Sequence, residues 1–287
     1  MAGGLPDLRQ VIAAADLTPD AFPAVLAGAG RKRGQALDTM LRTVRGLTGT
    51  ADGHIDDVTR AAATYDGAED VALAMVAGRD SGSGRPSSTG RRVSGPSAAP
   101  AGTTATGGTG PDAVLVLYRR LETLCGGIGL ASVIRPVGAL LTANVRDPQR
   151  FGDAALRLDQ AHASAGRLHA GVADGLGVLT ASWTGQAHDA HRDATLNTYQ
   201  PHLATLQDHA QNLAEKDWQS QYAQQRFHDR VVIILGWALM ALAAFLAILA
   251  MDVLFDGAIL YGTVMMLAAV VVAIKGAVMA LYTDWPS

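Results

Sequence analysis

The sequence predicts an all-α protein built of long antiparallel helical hairpins and a two-helix transmembrane hairpin. Three observations carry that expectation. Apolar residues recur at alternating spacings of three and four over stretches of tens of residues, the signature of a helix with one buried seam. Residues 231–251 form a 21-residue uncharged, overwhelmingly apolar run. Alanine and glycine supply 84 of the 287 residues, against 15 aromatics. Such small side chains suit close helix–helix contact, in coiled hairpins or in membrane, better than a thick aromatic core.

Charge and cysteine content narrow the function classes. A net charge of −3 creates no global field for nucleic acid or an acidic substrate. The single Cys125 leaves no intramolecular disulfide framework and no multi-thiolate zinc site. Arginine outnumbers lysine 20 to 3, which fits GC-rich coding more than chemistry. Residues 1–10 carry no basic stretch leading into an apolar one, so no cleavable signal peptide is expected.

Residues 5–29 predict two short helices, the second opened by Thr18-Pro19, with Gly28, Gly30 and the basic Arg31-Lys32-Arg33 as punctuation. A long helix follows. Its seam is Leu37, Leu41, Val44, Thr48, Ala51, Ile55, Val58, Ala62, Tyr65, Glu69, Ala72 and Val76. Gly46, Gly49 and Gly53 weaken it by about 1 kcal/mol each relative to alanine, so it should need a partner. We take residues 1–78 as one N-terminal helical module. In residues 81–110, Gly, Ser, Thr and Pro supply 22 of 30 positions, a composition that makes no core and reads as a linker.

Residues 111–146 predict a helical preamble, with Val114, Leu117, Tyr118, Leu121 and Leu124 at helical spacing and an interruption at Arg135-Pro136. Asp147-Pro148 then opens a helix whose seam is Phe151, Ala155, Leu158, His162, Ala165, Leu168, Val172, Leu176 and Leu179. The pattern breaks at Ser182-Trp183-Thr184-Gly185. It resumes through Ala187, Ala190, Ala194, Leu203, Leu206, Ala210, Leu213, Tyr222 and Phe227, with Pro201 placed to kink or divide the second helix. Residues 147–230 thus predict an antiparallel hairpin.

At 1.5 Å per residue, residues 231–251 span about 31 Å, a full bilayer core. Residues 257–274 give a second apolar run that ends at Lys275, and the loop between the two holds only Asp252 and Asp256. With Lys216, Arg226 and Arg230 before the first span, the positive-inside rule places both termini on the cytoplasmic side. Asp252, Asp256 and Lys275 have two readings: interfacial anchors that snorkel, or the lining of an oligomeric pore.

His188 and His191 lie three apart beside Asp189 and Asp193, a spacing that can ligate zinc. A solvated helix face is the commoner meaning of that pattern, and we expect no metal or other cofactor. No phosphate-binding loop, nucleophile elbow or paired acid motif appears, so no enzymatic activity is expected either.

A hairpin of this length with Trp183-Thr184-Gly185 at its turn resembles the WXG superfamily of type VII secretion, whose founders are the early-secretory-antigen-like proteins of actinobacteria and firmicutes. The likeness covers residues 147–230. The N-terminal module resembles the related secretion-associated proteins, whose long second helix ends in Ala/Thr-Tyr-x-x-x-Asp/Glu. Here that stretch is Ala62-Ala63-Thr64-Tyr65-Asp66-Gly67-Ala68-Glu69. Tyr65 and Glu69 are four apart and share a helix face. The resemblance implies a composite export signal, with Trp183 and Gly185 as one half and Tyr65 and Glu69 as the other, read by the membrane-embedded secretion ATPase. Such hairpins usually pair between two chains. Here both halves lie in one chain, and a linker of about 30 residues reaches roughly 30 Å, for an effective concentration of order millimolar. Intramolecular pairing of residues 1–78 with 147–230 is therefore expected, with a separate helical-hairpin partner protein as the alternative. No Tyr-x-x-x-acid follows the WxG hairpin itself. Three functions stay open: a membrane-anchored secretion component or substrate, a pore-forming effector, or a cytoplasm-facing adaptor for a toxin or chaperone.

Overall fold

A computed structural model describes residues 4–77, 110–182, 185–251 and 256–286, and all regular structure among them is helical. The helices are α1 (Gly4–Ala14), α2 (Ala27–Ala77), α3 (Pro111–Gly127), α4 (Ala131–Asn144), α5 (Gln149–Ser182), α6 (Gln186–Ala194), α7 (Gln200–Met251) and α8 (Asp256–Asp284). The chain divides into two compact units, Met1–Leu47 with Gly108–Ser287, and Thr48–Gly107. The division falls within α2, short of the 78/79 boundary expected for the N-terminal module. The linker expected at 81–110 lies, except for its last residue, outside the described residues.

In the larger unit, α1 buries Leu5, Leu8 and Ile12 and packs on α5. Two 3-10 turns, Pro19–Ala21 and Ala24–Leu26, lead into α2. The expected break at residues 28–33 does not occur, because the helix already begins at Ala27 and runs through both glycines. Packing offsets their low propensity. A methyl at Gly30 would meet the Phe22 ring at 2.9 Å, so glycine is what lets that ring lie on the helix.

The seam of α2 also differs from the expectation by one position. Leu37 and Val44 are buried as predicted, but Met40 and Leu47 are buried where Leu41 and Thr48 were expected, and Ile55 is exposed. Both registers satisfy the spacing of three and four; the partner surface chooses between them. That surface is the core shared by Leu8, Ile12, Leu37, Met40 and Val44 with Leu158, Ala161 and Ala165 of α5 and Leu206, Ala210 and Leu213 of α7.

Helix α5 buries Phe151, Ala155, Leu158, Ala165, Val172 and Leu176, and leaves His162 and Leu168 half-buried. The His162 Nδ1 lies 3.1 Å from the Gln207 carbonyl of α7. Pro201 has its expected effect one turn early. A π-helical turn occupies Thr195–Tyr199, widening the helix where the proline lacks an N–H and its ring crowds the preceding carbonyl. Tyr222 is a correction. It is 67% exposed, and its neighbour Ala223 is buried instead.

The hairpin and the first apolar run are not separate helices. Helix α7 continues for 52 residues, from the amphipathic region into the apolar run. Its buried positions Leu203, Leu206, Ala210, Leu213, Asp217, Ser220, Gln224, Phe227, Val231, Leu235, Ala238 and Leu242 form one unbroken stripe. The preamble helices α3 and α4 share a second core with the C-terminal half of α7 and with α8. Pro136 stands inside α4 without ending it.

The helical run His188–Ala247 and the segment Tyr261–Asp284 are each long and apolar enough to cross a membrane. Ile233, Trp237 and Met240 on α7, and Met265, Val272 and Met279 on α8, are all more than half exposed. The second apolar segment is longer than expected. It passes Lys275 and ends at Asp284, which pairs with Arg230 at 3.4 Å. Lys275 therefore lies within the segment, and the basic flank used to orient the hairpin reduces to Lys216, Arg226 and Arg230.

Candidate functional site

The turn between α5 and α6 is where the resemblance places half of its signal. Gly185 is exposed there with φ of 112° and ψ of −179°. That conformation is open to glycine and strained for an L side chain, and it lets α6 begin directly at Gln186. Trp183 lies outside the described residues. Gly185→Ala is expected to destabilise the hairpin by about 1–3 kcal/mol through backbone strain alone, since nothing lies near the added methyl. Denaturant unfolding of the full chain in detergent measures it. Tyr65 and Glu69 both lie on α2 in the smaller unit, and their side chains fall outside the described residues.

His188 is buried, not part of a solvated face, and its Nδ1 lies 3.2 Å from Asp189 Oδ1. Among the described residues no three metal-ligating side chains come together.

Of the three charges of the apolar third, Asp252 lies outside the described residues. Asp256 is the first residue of α8, and Lys275 is exposed further along it. Nineteen residues separate them, about 28 Å along the helix axis, so they cannot share one constriction.

A buried ion pair lies outside the residues that the motifs single out. Arg33 of α2 and Asp217 of α7 are both nearly fully buried. The Arg33 Nε donates to Asp217 Oδ1 at 2.8 Å, and Nη2 donates to Oδ2 at 2.7 Å and to the Ala15 carbonyl at 2.8 Å. One guanidinium thus joins the end of α1, the start of α2 and the middle of α7. Burial pushes the Asp217 carboxyl up from its ordinary value, and the Arg33 hydrogen bonds and charge oppose that rise. A signal for this pair existed: Arg33 continues the seam 37, 40, 44, 47 backward, and Asp217 continues 203, 206, 210, 213 forward. A charge at a seam position requires a partner.

A second junction is aromatic. Phe151 meets Phe22 edge-to-face at 5.3 Å and Trp285 at 5.4 Å, so residues from α5, the α1–α2 connection and the C-terminal end of α8 share one cluster.

These features define the class as an all-helical bundle protein with two helices of membrane-spanning length. No protein-family model matches the chain, and neither the curated proteins nor the solved structures yield a match.

Proposed function

We propose that this is a non-enzymatic, multi-pass membrane protein associated with type VII secretion, a component whose helical modules face the cytoplasm and are read by the secretion ATPase. The observation that carries the membrane part is the continuous α7, in which one buried stripe runs from the amphipathic bundle into the apolar run without a break. A helix of this kind couples the bundle rigidly to its anchor, as suits a fixed component better than a cargo that must cross. The secretion part rests on the Trp183-Thr184-Gly185 turn and the Tyr65-x-x-x-Glu69 motif. It is supported by the packing of α1 and the start of α2 on α5 and α7 within one chain.

In-cell crosslinking between the chain and the secretion ATPase of its host tests the reading. Trp183→Ala and Tyr65→Ala should each lower the crosslinked fraction by about tenfold or more, the effect of losing an interface anchor, while membrane association stays unchanged. Unaltered crosslinking in both variants would contradict it.

Lys275 favours a second reading, a pore-forming effector, because an exposed cation inside an apolar helix is costly unless it faces water or a partner. In that case, vesicles carrying the full chain leak ions and Lys275→Leu abolishes the leak. If the chain is an anchored component, the vesicles stay tight.

A further inference from the structure

We infer that α3 and α4 form a re-entrant helical hairpin whose turn is buried among the acyl chains of one leaflet, beside α7 and α8. This rests on the proposal that α7 and α8 cross the bilayer. Depth follows from neighbouring contacts. The Gln224 side-chain amide donates to the Asn144 carbonyl at 3.0 Å, which sets the end of α4 just before the apolar run of α7. Gly138 of α4 lies against the Tyr118 ring, so α3 and α4 run side by side and antiparallel from there. Their joining turn therefore points away from Asn144, toward the middle of the apolar hairpin. Val114, Leu121, Ile134 and Leu141 share a core with Val231, Leu235 and Leu267, residues inside the two apolar segments.

The charge pattern matches that depth. Residues 123–134 hold no charge, whereas Arg119, Arg120, Glu122 and Arg135 bracket them. Measured from the Asn144–Gln224 contact at 1.5 Å per residue, Arg135 falls about 4 Å further along than Arg230, within snorkelling reach of a headgroup layer. At 1.5 Å per residue the turn reaches about 12 Å beyond Arg120.

Part of the backbone at the turn is paired internally. The Leu130 N–H donates to the Cys125 carbonyl at 2.8 Å and the Gly129 N–H to the Gly126 carbonyl at 3.2 Å, with Gly129 at φ of 76°. This closure satisfies the Cys125 and Gly126 carbonyls at the end of α3 internally, as lipid favours.

Nitroxide labels on Leu124→Cys and Ser132→Cys in vesicles test the inference, because both positions are exposed on the protein surface. Labels on Thr142→Cys and Met240→Cys supply aqueous and lipid references. Wild type labelled in parallel corrects for Cys125, whose thiol is buried. Labels at Leu124 and Ser132 should show an oxygen-to-nickel accessibility ratio several-fold above that at Thr142 and close to that at Met240. Values matching Thr142 while Met240 stays lipid-like overturn the re-entrant hairpin alone. An aqueous Met240 overturns the spans and the inference with them.

Discussion

Arg33→Met is expected to destabilise the bundle by about 3–5 kcal/mol, because it strands the buried Asp217 carboxylate without its partner. The double variant Arg33→Met, Asp217→Leu should recover most of that loss, since the desolvated charge is then gone as well. Denaturant unfolding of the full chain in mild detergent, followed by helical circular dichroism, measures both. The pH dependence has a definite sign. Without Arg33, nothing offsets the burial that raises the Asp217 carboxyl, so the folded state holds its proton more tightly than the unfolded state. Below the ordinary carboxylate range both states are protonated and the added penalty vanishes. It grows as pH rises through that range toward the raised folded value. Arg33→Met should therefore lose less stability near pH 4 than near pH 7.

Phe151→Ala is expected to cost about 3–5 kcal/mol as well, by a different route. Phe151 is fully buried and holds both Phe22 and Trp285 edge-to-face. Truncation leaves a cavity with rings on two sides, which cannot both close in. It also removes one of the contacts through which the end of α8 meets the bundle. Unfolding measurements should show the loss, and tryptophan emission should shift to the red as Trp285 becomes more solvated. Phe151→Leu should lose much less than the alanine variant. Equal losses would mean that volume at this site does not matter.

Much of the fold was legible in the sequence because helical periodicity is a local signal. The seam residues Leu158, Ala165, Leu206 and Leu213 were found from spacing alone, and so were the two apolar runs. Register was not legible in α2, where Leu41 and Met40 both fit a spacing of three and four and only the partner surface decides. The continuity of α7 was hidden for a related reason: a change from amphipathic to apolar composition looks like a boundary, although the backbone need not respond to it. The end of α8 was misplaced because Lys275 reads as a stop for the apolar run, whereas lysine is a good helix former and does not end the backbone helix. Arg33 and Asp217 were legible in principle. Both occupy seam positions, but basic residues beside glycines suggested punctuation. Trp183 and the side chains of Tyr65 and Glu69 lie outside the described residues.

Protease accessibility of residues 81–110, in intact cells and in lysed spheroplasts, tests the central claim most directly. For a membrane-anchored component with cytoplasmic modules, the segment is protected in intact cells, cleaved after lysis, and all the protein remains in the membrane fraction. Cleavage from outside intact cells would contradict it.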